Sequence, residues 1–143
     1  ATLCMVGPDS DGSMLSAKQL AKELNVEVTF MGKLSKEAWI DLSTDHNIFL
    51  NTTNFDNMPV SVIEAMALGL CVISTNVGGL PYLISDGLDG LLVPPNNSIR
   101  FINAIKKVMH SPSHAKEMTL KARKKVEAFD WELLKLKWIE LLK

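Results

Sequence analysis

Asp56-Asn57-Met58-Pro59-Val60-Ser61-Val62-Ile63-Glu64-Ala65-Met66-Ala67-Leu68-Gly69-Leu70-Cys71-Val72-Ile73-Ser74 carries a polar loop, a helix, a stop and a strand in one pass. Pro59 suits a first helical turn, where its missing amide loses no partner, and Gly69 suits a helix end. Met58 to Gly69 is therefore predicted helical, and the apolar run Leu70–Ser74 reads as a strand. Two carboxylates, Asp56 and Glu64, flank the helix start eight residues apart. One lies just before the helix and one about two turns in, so both can face one ligand.

Outward from this stretch, strands and helices alternate. Thr2–Val6 is an apolar run ended by Gly7-Pro8 and reads as a buried strand. Ser13 is the expected cap of a helix from Met14 to about Leu24. Glu27–Met31 and Asn47–Asn51 read as strands, with a helix capped by Ser35 between them. Gly79–Ile84 is a short helix or turn, and Leu88–Val93 a fifth strand. After Pro94-Pro95 the pattern is helical: Ser98–His110, Ser113–Ala128 and Trp131–Leu142, broken at Pro112 and at the cap Asp130. The fold class this predicts is α/β, a Rossmann-like parallel sheet with helices on both faces and a helical C-terminus. Ligands of such sheets bind at the carboxyl ends of the strands. That points to Gly7–Ser13, Gly32–Ser35, Thr52–Met58 and Thr75–Gly79, with Pro94–Asn97 as a further candidate.

Bulk properties narrow the classes. The 143 residues suit one domain with a core of its own, and 47% apolar with 22% charged is ordinary globular composition. A net charge of −1 argues against nucleic acid held by bulk electrostatics. Cys4 and Cys71 lie in apolar runs without a Cys-x-x-Cys, so buried free thiols are expected. No apolar run approaches the ~18 residues of a membrane span. Residues 115–143 hold eight Lys/Arg against five Asp/Glu, while the rest hold seven against eleven. The plain reading is solvated helix faces; the sharper one is peripheral contact with an anionic membrane.

Several chemistries drop out. Gly7-Pro8-Asp9-Ser10-Asp11-Gly12-Ser13 has P-loop glycines without the lysine that reaches the phosphates. Asp9-Ser10-Asp11-Gly12 lacks the ligand pattern of a calcium loop. His46, His110 and His114 match no metal spacing, and no serine elbow or zinc motif occurs. No metal site is expected, and no residue reads as a nucleophile, so the catalytic residues stay unassigned. For Asp56 and Glu64 the plain reading is a cap at Asp56 or Asn57 and a surface glutamate. Against it, Glu64 is flanked by Val62, Ile63, Ala65, Met66 and Ala67, where a carboxylate needs hydrogen-bond donors. The hydroxyls of a ribose would serve, beside a helix N-terminus suited to a pyrophosphate.

The run from Asp56 to Glu64, the continuation Ala65–Gly79 and the block Asp86-Gly87-Leu88-Asp89-Gly90-Leu91-Leu92-Val93-Pro94 together resemble the group 1 (GT4) glycosyltransferases. The resemblance is to their C-terminal donor-binding domain. Met5-Val6-Gly7-Pro8, Val28–Leu34 and Asp130-Trp131 resemble further blocks in the same order, so it spans nearly the whole chain. It implies the C-terminal half of a GT-B fold. It also implies retaining transfer of a sugar from a nucleotide diphosphate sugar, with no cofactor. Glu64 is then expected to bind the ribose hydroxyls and Asp56 the donor sugar. Amides around Asn57, Met58, Val60 and Ser61 would face the sugar and diphosphate. Gly7, Gly32, Lys33 and Leu34 would form the loops bordering base and phosphate.

Three positions depart from the family pattern: Asp56 for a usual Glu, Pro59 for a frequent Gly, and Tyr82 for a frequent Glu. The resemblance further implies that residues 1–143 are part of a nucleotide-sugar-binding domain. The first strand, its Arg and Lys, and the acceptor domain would lie elsewhere in a longer enzyme. The isolated chain is then expected to be inactive. The expected setting is bacterial polysaccharide or glycolipid synthesis in the cytoplasm, with the inner membrane face as a further location. The acceptor would be a saccharide or lipid-linked glycan. Two alternatives stand beside this: a nucleotide-sugar epimerase of the same fold, and a non-catalytic α/β binding module.

Overall fold

The computed structural model describes all 143 residues. They divide into two compact units, Ala1–Leu42 and Ser43–Lys143.

In the first unit β1 (Leu3–Val6) pairs in parallel with β2 (Val28–Gly32), and α1 (Ser13–Glu23) connects them. Ser13 is not the cap of α1. Gly12 holds that position at φ 78°, and the carboxylates before it serve the first turn. The Ser13 amide donates to Asp11 Oδ1 at 3.0 Å and the Met14 amide to Asp9 Oδ1 at 3.2 Å. An aspartate here reaches the amides two and five residues on, which a serine inside the helix cannot do. Nor is β1 a buried strand. Leu3, Met5 and Val6 are 40%, 45% and 42% exposed, and Cys4 is half-buried. Two paired strands and one connecting helix offer too little apolar surface to enclose either strand. α2 (Lys36–Ser43) starts as expected, with the Ala38 amide donating to Ser35 Oγ at 3.2 Å.

The second unit holds the core. β3 (Ile48–Asn51), β4 (Cys71–Thr75) and β5 (Leu91–Val93) form a parallel sheet in the order β3-β4-β5. Ile48 lies opposite Cys71, and Ile73 opposite Leu91. All strand pairing is parallel, as the alternating pattern predicts. It forms two hydrogen-bonded sheets rather than one, because β1 and β2 pair only with each other. All five residues of β4 are buried, because this strand has neighbours on both edges and helices flank the sheet. Alternation sends Cys71 and Ile73 toward Leu91, Val93, Val108 and Met118, with Phe101, Ala104 and Ile105 packed beside them.

α3 (Val60–Ala67) packs on β3 and β4 through its buried Val62, Ala65 and Met66. It ends at Gly69, φ 79°, where the Leu70 amide donates to Ala65 O and the Gly69 amide to Met66 O. This double bond pattern needs a left-handed residue, hence the glycine. α4 (Leu80–Leu83) follows β4. Residues 85–90, which include the first three of the expected fifth strand, form a turn closed by Gly87 N to Gly90 O at 2.8 Å. α5 (Ser98–His110) is capped by Asn97, and α7 (Trp131–Leu141) by Asp130. α6 (Pro112–Val126) includes Pro112 rather than starting after it. Proline suits the first helical position, so it opens the helix instead of breaking the chain.

Candidate functional site

Within the second unit, the carboxyl ends of β3 and β4 deliver two loops that grip each other. Asn51 Nδ2 donates to Ser74 Oγ at 3.0 Å, which donates on to Thr75 O at 3.2 Å. Thr75 Oγ1 donates to the carbonyl of Thr53. These bonds satisfy the buried hydroxyls of Ser74 and Thr75 and tie the start of the 52–59 loop to β4. The far end of that loop is anchored by Pro59, which is buried. Between the anchors, the Gly79 amide donates to Asp56 O at 3.1 Å.

The loop leads into α3 with no side-chain cap. Pro59 is the cap residue itself, at φ −65° and ψ 121°, so its missing amide costs the helix nothing. This overturns the reading of Asp56 or Asn57 as a cap. Val62 and Ile63 donate to Pro59 O, at 3.1 and 3.4 Å, while the amides of Val60 and Ser61 precede any intrahelical acceptor. An uncapped N-terminus of this kind carries partial positive charge and outward N–H groups, which suit an anion. Asn57, Met58, Val60 and Ser61 are exposed around it, and Asp56 is half-buried. Glu64 is half-buried one turn further on, beside the buried Ala65 and Met66, and not a freely solvated surface group.

Two of the predicted loops of the first unit meet through one backbone bond. The Gly7 amide donates to Gly32 O at 2.9 Å, and Gly32 takes φ 65°. Gly7 lines a shallow hollow of about 130 Å³ with Met5, Pro8, Met14 and Phe30. Lys18 Nζ lies 5.5 Å from the Phe30 ring centre. Lys33 is exposed and Leu34 half-buried, and neither lines the hollow. The acids of the two Asp-Gly pairs are structural. Asp86 Oδ1 accepts from the Leu92 amide at 2.9 Å. Buried Asp89 accepts from the Ser85 amide at 2.7 Å and pairs with Lys125 Nζ at 2.7 Å. Tyr82 is 87% exposed.

The family model described as "Glycosyl transferases group 1" matches residues 1–125. The chain is a member of that family. Among curated relatives, the D-inositol 3-phosphate glycosyltransferase of Rhodococcus erythropolis is 28% identical over 116 residues, covering 80% of this chain and 26% of the relative. Among solved structures, the sucrose-phosphate synthase of Thermosynechococcus elongatus superimposes with a TM-score of 0.89 at 30% identity, over 99% of this chain and 37% of that one. Anabaena HepE in complex with UDP-glucose shares the fold at a TM-score of 0.89 and 21% identity, over 99% of this chain and 40% of HepE. This chain therefore spans about a quarter of its curated relative's length. The expected Rossmann-like α/β class and group 1 membership both hold.

Proposed function

We propose that this chain binds the donor of a retaining glycosyltransferase, which moves a sugar from a nucleotide diphosphate sugar to an acceptor hydroxyl. The observation that carries the reading is Glu64, a half-buried carboxylate one turn behind an uncapped helix N-terminus, inside the segment the family model matches. A nucleotide sugar presents both complements: ribose hydroxyls that donate to a carboxylate, and a diphosphate that accepts from amides. HepE, which shares the fold, was crystallised with UDP-glucose, which favours a UDP-sugar as the first donor to test.

In this reading Glu64 takes the ribose hydroxyls, and Asp56 takes the hydroxyls of the donor sugar. The amides at Asn57, Met58, Val60 and Ser61 face the sugar and diphosphate. The chemistry is positioning of the donor and stabilisation of the departing diphosphate, with the acceptor hydroxyl attacking from the same face. Cationic side chains outside this segment complete the charge balance, and no cofactor beyond the donor is required. The acceptor is a saccharide or lipid-linked glycan, used at the cytoplasmic face of a membrane in polysaccharide or glycolipid synthesis.

The test is titration calorimetry of the full-length protein with UDP and UDP-glucose, together with a transfer assay that reads the anomeric form of the product. Glu64→Ala is expected to weaken both ligands about tenfold or more, the scale of hydrogen bonds to a charged group. Asp56→Ala is expected to weaken UDP-glucose and leave UDP nearly unchanged. Unaltered affinities in Glu64→Ala would overturn the reading.

A further inference from the structure

The end of β4 and the turn into α4 meet the 52–59 loop at Thr75, Gly78 and Gly79, contacts that donor binding does not itself require. We infer that Thr75 and Gly79 are positioning residues, which set where the Asp56–Met58 backbone stands relative to the first turn of α3. The inference rests on the donor-site reading above.

Gly79 sits at φ −84° and ψ −7°, a conformation open to any L-residue. Backbone freedom is therefore not what keeps this position without a side chain. Contact is: a Cβ there would stand 1.7 Å from Asn57 O and 2.6 Å from Asn57 C. Those are backbone atoms, so relief requires moving main chain. α4 resists moving, because the next residue, Leu80, is fully buried. Pro59 resists at the other end of the loop, buried and with φ fixed by its ring. The displacement must fall on Asp56–Met58, the segment that would meet the donor. Gly78 presses on the same segment, since its Cβ would stand 1.8 Å from Asp56 O. From below, the Thr75 hydroxyl holds the Thr53 carbonyl. The loop is thus held by a hydroxyl at its start and by the bare Gly79 backbone at its middle.

Restoring ordinary van der Waals separation from 1.7 Å needs a shift of about 2 Å, and a misplacement of even about 1 Å is worth about a hundredfold in a positioned reaction. The test compares three variants of the full-length protein: Gly79→Ala, Thr75→Val and Leu83→Ala. Leu83 is buried in α4 and stands outside the proposed donor machinery, so it reports loss of stability alone. We expect Gly79→Ala to lower kcat/KM for the donor about a hundredfold and to weaken UDP-glucose in calorimetry. We expect Thr75→Val, nearly isosteric, to weaken UDP-glucose about tenfold with a small change in Tm. Leu83→Ala should lower Tm and, below that temperature, keep donor affinity within a few-fold. If Gly79→Ala does not fold, Thr75→Val decides by the same measurement. Donor affinity in both variants no worse than in Leu83→Ala overturns the inference while Glu64→Ala still supports the donor site. A wild-type protein that binds none of the UDP, GDP, ADP and TDP sugars, tried in turn, overturns the donor site and this inference with it.

Discussion

Ala1–Leu42 contains no buried side chain, whereas Ser43–Lys143 contains all sixteen buried apolar ones. Both units are strand-helix alternations, and their strands are similarly apolar. Leu-Cys-Met-Val in β1 would pack as well as Cys-Val-Ile in β4 if it had something to pack against. β4 has a strand on each edge and α3, α5 and α6 against it, whereas β1 has one partner strand. Burial thus follows the number of neighbouring layers and not residue hydrophobicity. The proposed anion-binding turn belongs to the unit that has the core.

The sharpest way to break this contrast is a pair of truncations. Met66→Ala, at a fully buried site, should destabilise the protein by about 2–5 kcal/mol in urea unfolding. Leu20→Ala, where the side chain is 54% exposed, should cost no more than about 0.5 kcal/mol. Equal costs would mean that the first unit is packed as tightly as the second. A smaller effect belongs to the pairing of α6 with the turn before β5. Asp89→Ala leaves the Ser85 amide and Lys125 without their carboxylate and should cost about 1–3 kcal/mol. Lys125→Met should cost at least as much, because it leaves the buried Asp89 carboxylate without its cation, whereas the lysine freed by Asp89→Ala is part-exposed and can reach solvent.

Titration sharpens the contrast most gently, with opposite signs in the two units. Burial pushes the Cys71 thiol up to about 11. A raised thiol favours the folded state below its unfolded value near 9, and that contribution is lost as pH climbs from about 9 toward 11. Native Cys71 should therefore resist alkylation at pH 8, and the more exposed Cys4 should react first. In the first unit, the hydrogen bonds from Ser13, side chain then backbone, hold the Asp11 carboxyl below its usual value. A lowered carboxyl favours the fold above its unfolded pKa and stops doing so as pH falls through the folded one. Acidification should thus raise amide exchange in α1 before it affects β4. The reverse order would break the contrast.

Much of this was legible in the chain. Helix signals are local: Ser35, Asp130 and Gly69 act where their chemistry predicts, because a cap or a left-handed stop concerns a few neighbouring residues. Ser13 misled because a nearer pair of carboxylates serves the same amides. Pro112 misled because proline both breaks and begins helices, and only the backbone path tells which. In the site, Glu64 stood out as a carboxylate among apolar neighbours. Gly78 and Gly79 carried only the faint signal of a glycine pair after a strand, since what they touch lies more than twenty positions away.

By itself, the sequence determined the element order, the parallel α/β class, the caps and the segment that carries Asp56 and Glu64. These depend on period, turn chemistry and side-chain type within short windows. Only the tertiary structure decided which strands are enclosed, that the 52–59 loop is clamped by Thr75 and Gly79, and that the Asp-Gly acids are structural. Each of those depends on which distant backbone comes to lie within a few ångströms, and a pattern along the chain contains no such distance.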